Sequence, residues 1–334
     1  MPVWTTQEIL AEIVRRCVAG ERVGLCTVVA TRGSCPQSAG AKMIVLADGR
    51  TLGTLGGGCV EAEVRQRAMK MLLDDQSDLL SFDLNHDYGW DDGLICGGAM
   101  DIYVQSLDAF RVAQFKEMIS ALARRDASAE GMELRFAYTC SGKACEYVER
   151  IESSPTLLIV GAGHVAQALG QVAPGLGFDL DVLDDRPDYV STERFPLARH
   201  RIVGDIETEL AKFPIDRTTY IVIVTRGHNH DGRALAAVID SPAKYIGMIG
   251  SKRKIKAIYD ELAASGTSIE KLLHVHAPIG YDIGAVTVQE IAISIAAQLV
   301  AARRGQSDKP ARPMKTDEEQ IRAWLTRQAA SQGS

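Results

Sequence analysis

The residues best suited to chemistry fall in a few short clusters. Gly161-Ala-Gly163-His164-Val-Ala166 follows an apolar run and opens a helical stretch, the setting in which amides at a helix N-terminus hold a pyrophosphate. Asp184 ends the next apolar run, roughly 20 residues on, where a carboxylate accepts hydrogen bonds from a ribose diol and repels a 2′-phosphate. That favours NAD or another dinucleotide over NADP. The same glycines also suit a tight turn with close helix packing, and Arg186 can neutralise a phosphate or pair with Asp188.

A second cluster, Thr54-Leu-Gly56-Gly57-Gly58-Cys59-Val-Glu61, runs from a hairpin strand into a helix, the layout of an anion-binding nest. Glu61 would compete with a bound anion, so it caps the helix or meets a ligand hydroxyl or amine; a purely structural turn uses the same residues. Cys96-Gly97-Gly98 follows the acidic, aromatic stretch 87–92. A thiol beside paired glycines has little steric cover and suits a soft metal or a sulfur atom; a space-filling buried cysteine is the alternative. In Thr225-Arg226-Gly227-His228-Asn229-His230-Asp231, His228 and His230 suit acid–base work and, with Asp231, metal binding. Alternatively Asp231 caps a helix and the histidines line a cleft. His274 and His276, two apart on a run read as a strand, would share a face.

Positioning these clusters requires a regular scaffold. From Thr156 the chain alternates apolar runs (Thr156–Val160, Phe178–Leu183, Arg201–Val203, Tyr220–Val224, Tyr245–Ile249, Leu272–Val275) with helical stretches (Asp231–Ile239, Lys252–Ala264, Val288–Arg304). This is the signature of an α/β fold with a Rossmann-like, doubly wound parallel sheet. Upstream the pattern is α+β: helices at Thr5–Ala19, Glu61–Leu73 and Ala109–Arg124, strands at Val23–Ala30, Asp78–Leu84 and Met100–Val104, a hairpin of Lys42–Ala47 with Arg50–Thr54, and a strand pair around Ser141–Gly142. Its strand order does not follow from the pattern. The polar segment Glu149–Pro155 marks the break, giving domains at 1–152 and 153–305 and a tail, 306–334, with a short helix over Thr316–Gln328.

The 334 residues are 46% hydrophobic and 24% charged, with 37 basic and 43 acidic side chains and a net charge of −6. Disorder is excluded, and nonspecific binding to nucleic acid or anionic membrane is disfavoured. The N-terminal helix lacks the apolar core of a signal peptide, and Ile291–Ala302 is too short to span a membrane. A cytoplasmic protein follows, with its seven scattered cysteines mostly free thiols and a homodimer as the default assembly.

Taken in order, these motifs resemble the XdhC/CoxI family of accessory proteins for xanthine dehydrogenase and related molybdenum hydroxylases. The resemblance rests on Gly33-Ser-Cys-Pro36, Gly40-Ala-Lys42-Met43, Gly53 to Glu61, Cys96-Gly-Gly98, Gly161 to Ala166 and Asp184-Asp-Arg186. It continues through Tyr245-Ile-Gly-Met-Ile-Gly-Ser-Lys-Arg253, His276 to Gly284 and Gln289-Glu-Ile-Ala-Ile293. One departure is Thr225-Arg-Gly-His, where many relatives carry a Thr-His pair. The resemblance implies a chaperone, rather than a catalyst, that binds molybdenum cofactor, as molybdopterin or its dinucleotide, and delivers it to an apo-hydroxylase after sulfuration, with a cysteine desulfurase as a further partner. The dinucleotide's pyrophosphate would meet the Gly161 loop, its ribose Asp184, and its molybdenum centre a cysteine such as Cys96. The rival expectation is an NAD-dependent oxidoreductase with His228 or His230 as acid–base group.

Overall fold

Five of the six apolar runs after Pro155 become, in the computed structural model, one parallel sheet, and the strands before it an antiparallel sheet with a separate two-stranded hairpin. Residues 4–84, 97–124, 131–140 and 142–306 are described; the sequence readings at Cys96, the stretch 85–93 and the helix Thr316–Gln328 lie outside them. The chain forms two units, Met1–Thr156 with Ile215–Thr218, and Leu157–Pro214 with Thr219–Ser334.

The first unit contains α1 (Thr6–Val18), β1 (Val23–Arg32), β2 (Lys42–Leu46), β3 (Thr51–Gly53), α2 (Gly58–Asp74), β4 (Asp78–Asp83), β5 (Ala99–Leu107), α3 (Ala113–Arg124), β6 (Met132–Cys140) and β7 (Lys143–Ile151). Strands β1 to β5 make an antiparallel sheet in the order β3-β2-β1-β5-β4. Central β1 alternates its side chains between two cores. Val23 and Leu25 join α1, α3 and the β6–β7 hairpin, whereas Cys26 and Val28 join α2.

The second unit follows the order β8 (Thr156–Val160), α4 (His164–Val172), β9 (Asp179–Asp184), β10 (His200–Val203), α5 (Ile206–Lys212), β11 (Thr219–Ile223), α6 (His228–Val238), β12 (Tyr245–Met248), α7 (Lys252–Ala264), α8 (Ile269–Leu273), α9 (Val288–Arg303). The sheet runs β10-β9-β8-β11-β12, with β9 and β10, and β11 and β12, paired in parallel. Both β8 and β11 are buried along their whole length, as helices on two faces demand. The order reverses at β8, and at such a switch point the carboxyl ends of the strands, here β8, β9 and β11, border the crevice in which sheets of this kind take ligands. Helix α9 starts at a Thr287–Glu290 capping box and packs Ile295 and Leu299 into the core that holds Ala166 and Leu169 of α4.

Two sequence expectations fail in this unit. Leu272–Val275 is not a strand: Ser268 caps α8 by accepting from the Lys271 amide, and only His276 forms a parallel bridge, to Gly247. A good N-cap outweighs a run with a single β-branched residue. His274 therefore places Nδ1 2.6 Å from the Glu270 carbonyl, while His276 stacks on Tyr245 at 4.6 Å, and the two share no strand face. Helix α6 also begins three residues earlier than expected, at His228, because Gly227, with φ 83°, supplies its N-cap.

Candidate functional site

In the crevice of the second unit, the two glycines of the Gly161–Gly163 loop are needed for different reasons. Gly161 has φ 102°, and a Cβ there would lie 2.6 Å from the Val224 carbonyl oxygen. Close passage of the loop over β11 excludes any side chain. Gly163 is the N-cap of α4, without a side-chain cap, and has open space where a Cβ would sit. A helix start left uncapped beside open space fits the phosphates of a dinucleotide. His164 is exposed at the first position of α4, and Ala166 is buried beneath it.

Asp184 is buried, and both of its carboxylate oxygens are engaged. One accepts from the Ala162 amide at 2.7 Å and from Arg186 Nη2 at 2.9 Å; the other accepts from the Arg186 amide at 3.0 Å and Nε at 2.8 Å. Burial pushes this carboxyl up, but the Arg186 guanidinium and the two amides outweigh it and hold the pKa at about 2. Asp184 thereby braces the glycine loop. Arg186 pairs with Asp184 and not with Asp188, correcting that alternative, and lies 3.7 Å over the Tyr189 ring. Arg194 contacts the other part of this group: it is 4.9 Å from the same ring and donates to the carbonyls of Ala162 and Tyr189, each at 3.2 Å.

At the end of β11, Asp231 is wholly buried. It accepts from the Thr225 amide at 3.0 Å, from the Thr225 hydroxyl, and from Lys254 Nζ on α7. Asp231 is thus a tie between β11, α6 and α7 and not the helix cap that its position in the motif suggested. His228 is exposed and His230 half-buried on the first turn of α6. Among the described residues no group of three or more His, Cys, Asp or Glu is placed to hold a metal.

The first unit gathers the other glycine motifs at one end of its sheet. A Cβ on Gly56 would lie 2.6 Å from Pro36, and one on Gly98 would lie 2.8 Å from Cys35 Sγ. A Cβ on Gly33 would meet the Gly97 carbonyl at 3.0 Å. The amide nest of the Gly56–Gly58 loop is filled from within: Glu61 Oε1 accepts from the Thr54 hydroxyl at 2.6 Å, the Leu55 amide at 2.7 Å and the Gly57 amide at 2.8 Å. Burial raises the Glu61 pKa, but these donors outweigh it and leave it below the ordinary carboxylate value. Exposed Gly97, with φ 63°, lies in this group, next in sequence to Cys96.

Several residues of these sites carry no strong sequence signal. Cys35 stands in the Gly33-Ser-Cys-Pro36 motif without a role of its own in the sequence reading, and its thiol lies 3.2 Å from the Ala99 carbonyl. Lys42 heads an apolar strand, and its fully buried ammonium donates to the Gly40 carbonyl at 2.9 Å and to Glu149, which also accepts from Tyr147 at 3.0 Å. A lysine heading the apolar run KMIVL was the available hint. Arg194 and Lys254 stand in no dinucleotide pattern.

The family model for XdhC and CoxI matches residues 17–83, and that for the XdhC Rossmann domain matches residues 157–299. The chain is 29% identical over 294 residues to the protein YqeB of Escherichia coli K12, aligning 86% of this chain but spanning only 46% of that protein's length. It is 26% identical to a Bacillus subtilis protein named as a probable xanthine dehydrogenase subunit, over 85% of this chain and 94% of the other. It is 24% identical to the molybdenum cofactor insertion chaperone PaoD of Escherichia coli, over 91% of each chain. A crystal structure described as a xanthine dehydrogenase of Bacillus halodurans has the same fold, with a TM-score of 0.77 at 23% identity, covering 92% of this chain and 98% of the other.

Proposed function

Because the chain belongs to the XdhC and CoxI family, we propose that it is an accessory protein that binds molybdenum cofactor and delivers it to a xanthine dehydrogenase-type hydroxylase. The observation that carries this reading is the crevice at Gly163, where an uncapped helix start faces open space beside a loop braced by Asp184. A dinucleotide form of the cofactor presents a pyrophosphate suited to that cradle. Gly161, Gly163, His164 and Ala166 hold the nucleotide end in this reading; Asp184, expected at the ribose, has both carboxylate oxygens engaged by Ala162 and Arg186 and with Arg186 shapes the loop instead. Cys96, beside Gly97, takes the molybdenum end.

Further parts of the proposal are a molybdenum hydroxylase client, a cysteine desulfurase, a homodimer, a cytoplasmic setting, and domains at 1–152 and 153–305. No described helix is long and apolar enough to cross a membrane. The test is mass spectrometry of small molecules released from protein purified anaerobically from a molybdate-supplied host, with metal analysis on the same sample. A pterin carrying molybdenum is expected. NAD without pterin would instead favour an oxidoreductase using His228 or His230, and recovery of neither would overturn the carrier reading. Cys96→Ala should lower delivery of active cofactor to the client while nucleotide binding persists.

A further inference from the structure

Strands β9 and β11 flank β8 on opposite sides, so residues just beyond their ends face each other across the Gly161 loop. Asp185 follows β9, and Arg226 lies just beyond β11. Their side chains meet, Arg226 Nη2 to Asp185 Oδ2 at 2.7 Å. A Cβ on Gly161 would lie 2.8 Å from the Cα of Thr225, so Arg226 adjoins the loop that the dinucleotide reading assigns to the diphosphate. The ion pair bridges the crevice at the topological switch point.

Three other cations near this rim are committed elsewhere. Arg186 is bound through two nitrogens to Asp184 and covers Tyr189. Arg194 donates to the carbonyls of Ala162 and Tyr189. Lys254 is tied to buried Asp231. Arg226 is different: its side chain is 54% exposed, and its partner Asp185 is 32% exposed. An ion pair this open to water contributes little and opens readily, whereas a guanidinium forms strong paired hydrogen bonds with phosphate oxygens.

We propose that Arg226 is the diphosphate-binding side chain of the crevice and that Asp185 holds it across the entrance until an anion displaces the carboxylate. The ligand class is a nucleoside diphosphate or the diphosphate of a dinucleotide. This rests on the dinucleotide reading above and adds to it a residue and an order of events: the Asp185–Arg226 contact opens, Arg226 turns to the phosphates, and Asp185 keeps its longer contact with Arg186 Nε, 3.8 Å away.

The test is calorimetric titration of the full-length protein with ADP and with CDP at two salt concentrations, comparing wild type with Arg226→Gln, Asp185→Asn and Gly163→Val. Arg226→Gln should bind about tenfold more weakly, with a shallower salt dependence. Asp185→Asn should bind several-fold more tightly, because the competing carboxylate is gone. Wild-type affinity in Arg226→Gln overturns the assignment, as does an Asp185→Asn variant weakened as much as Arg226→Gln. If Gly163→Val abolishes binding and Arg226→Gln does not alter it, the crevice stands and the role of Arg226 falls. If the wild-type chain binds neither nucleotide at about 1 mM, the dinucleotide reading falls and takes this proposal with it.

Discussion

Glu61 Oε1 lies 2.8 Å from the amide of Gly57, and with the Leu55 amide and Thr54 hydroxyl it closes the glycine loop upon its own helix. The loop that looks in sequence like a receptor for an anion carries its anion covalently attached. Glu61→Ala would strip acceptors from partly buried amides and should cost about 1–3 kcal/mol, read as a lower urea midpoint with unchanged slope. A stability equal to wild type would show that water replaces the carboxylate without loss.

Acid should weaken the second unit through Asp184. This residue has a folded pKa of about 2, below the roughly 3.9 of an unfolded aspartate. Its contribution is therefore complete above about pH 4 and is lost as the pH falls toward 2. Unfolding midpoints measured between pH 5 and 2 should fall less steeply in Asp184→Asn than in wild type. Parallel curves would show that the carboxyl is not held down by Arg186.

Gly161 and Gly163 should separate folding from binding. Gly161→Ala places a Cβ 2.6 Å from a backbone oxygen at φ 102° and should destabilise the second unit by about 3 kcal/mol or more. Gly163→Val meets open space at φ −70°; its melting temperature should stay close to wild type, while nucleotide binding is lost. A folded, stable Gly161→Ala variant would contradict the close passage of the loop over β11.

Asp231 offers a test by double substitution. Lys254→Met would leave a wholly buried carboxylate without its ammonium and should cost about 3 kcal/mol. Lys254→Met combined with Asp231→Asn should recover part of that loss, since the uncompensated charge is gone. An additive double variant in chemical denaturation would show that the two side chains do not act as a pair.

Much of this molecule is written in local pattern. Runs such as Thr156–Val160 and Tyr220–Val224, bounded by glycine turns, determine parallel strands because residues buried on two faces must be apolar throughout. The spacing from Gly161 to Asp184 similarly marks the crevice at the carboxyl ends of β8 and β9. The pattern fails where a short-range hydrogen bond outweighs propensity, as at Ser268, which turns an expected strand into α8, and where Gly227 starts α6 early.

What only the tertiary structure decided is which partner each charged or reactive side chain meets. Sequence spacing brings Arg186 as near to Asp188 as to Asp184; the geometry chooses Asp184, because its buried carboxylate must satisfy both oxygens. Asp185 and Arg226 are 41 positions apart, and Lys42 and Glu149 are 107 apart. No periodicity links residues so distant, since their meeting depends on strand order and on how loops close, and these are properties of the packed whole. The sequence by itself therefore determined most of the elements and the glycine positions where backbone must pass close to another strand. The packing alone determined which charges brace those places and which one stands open at the crevice.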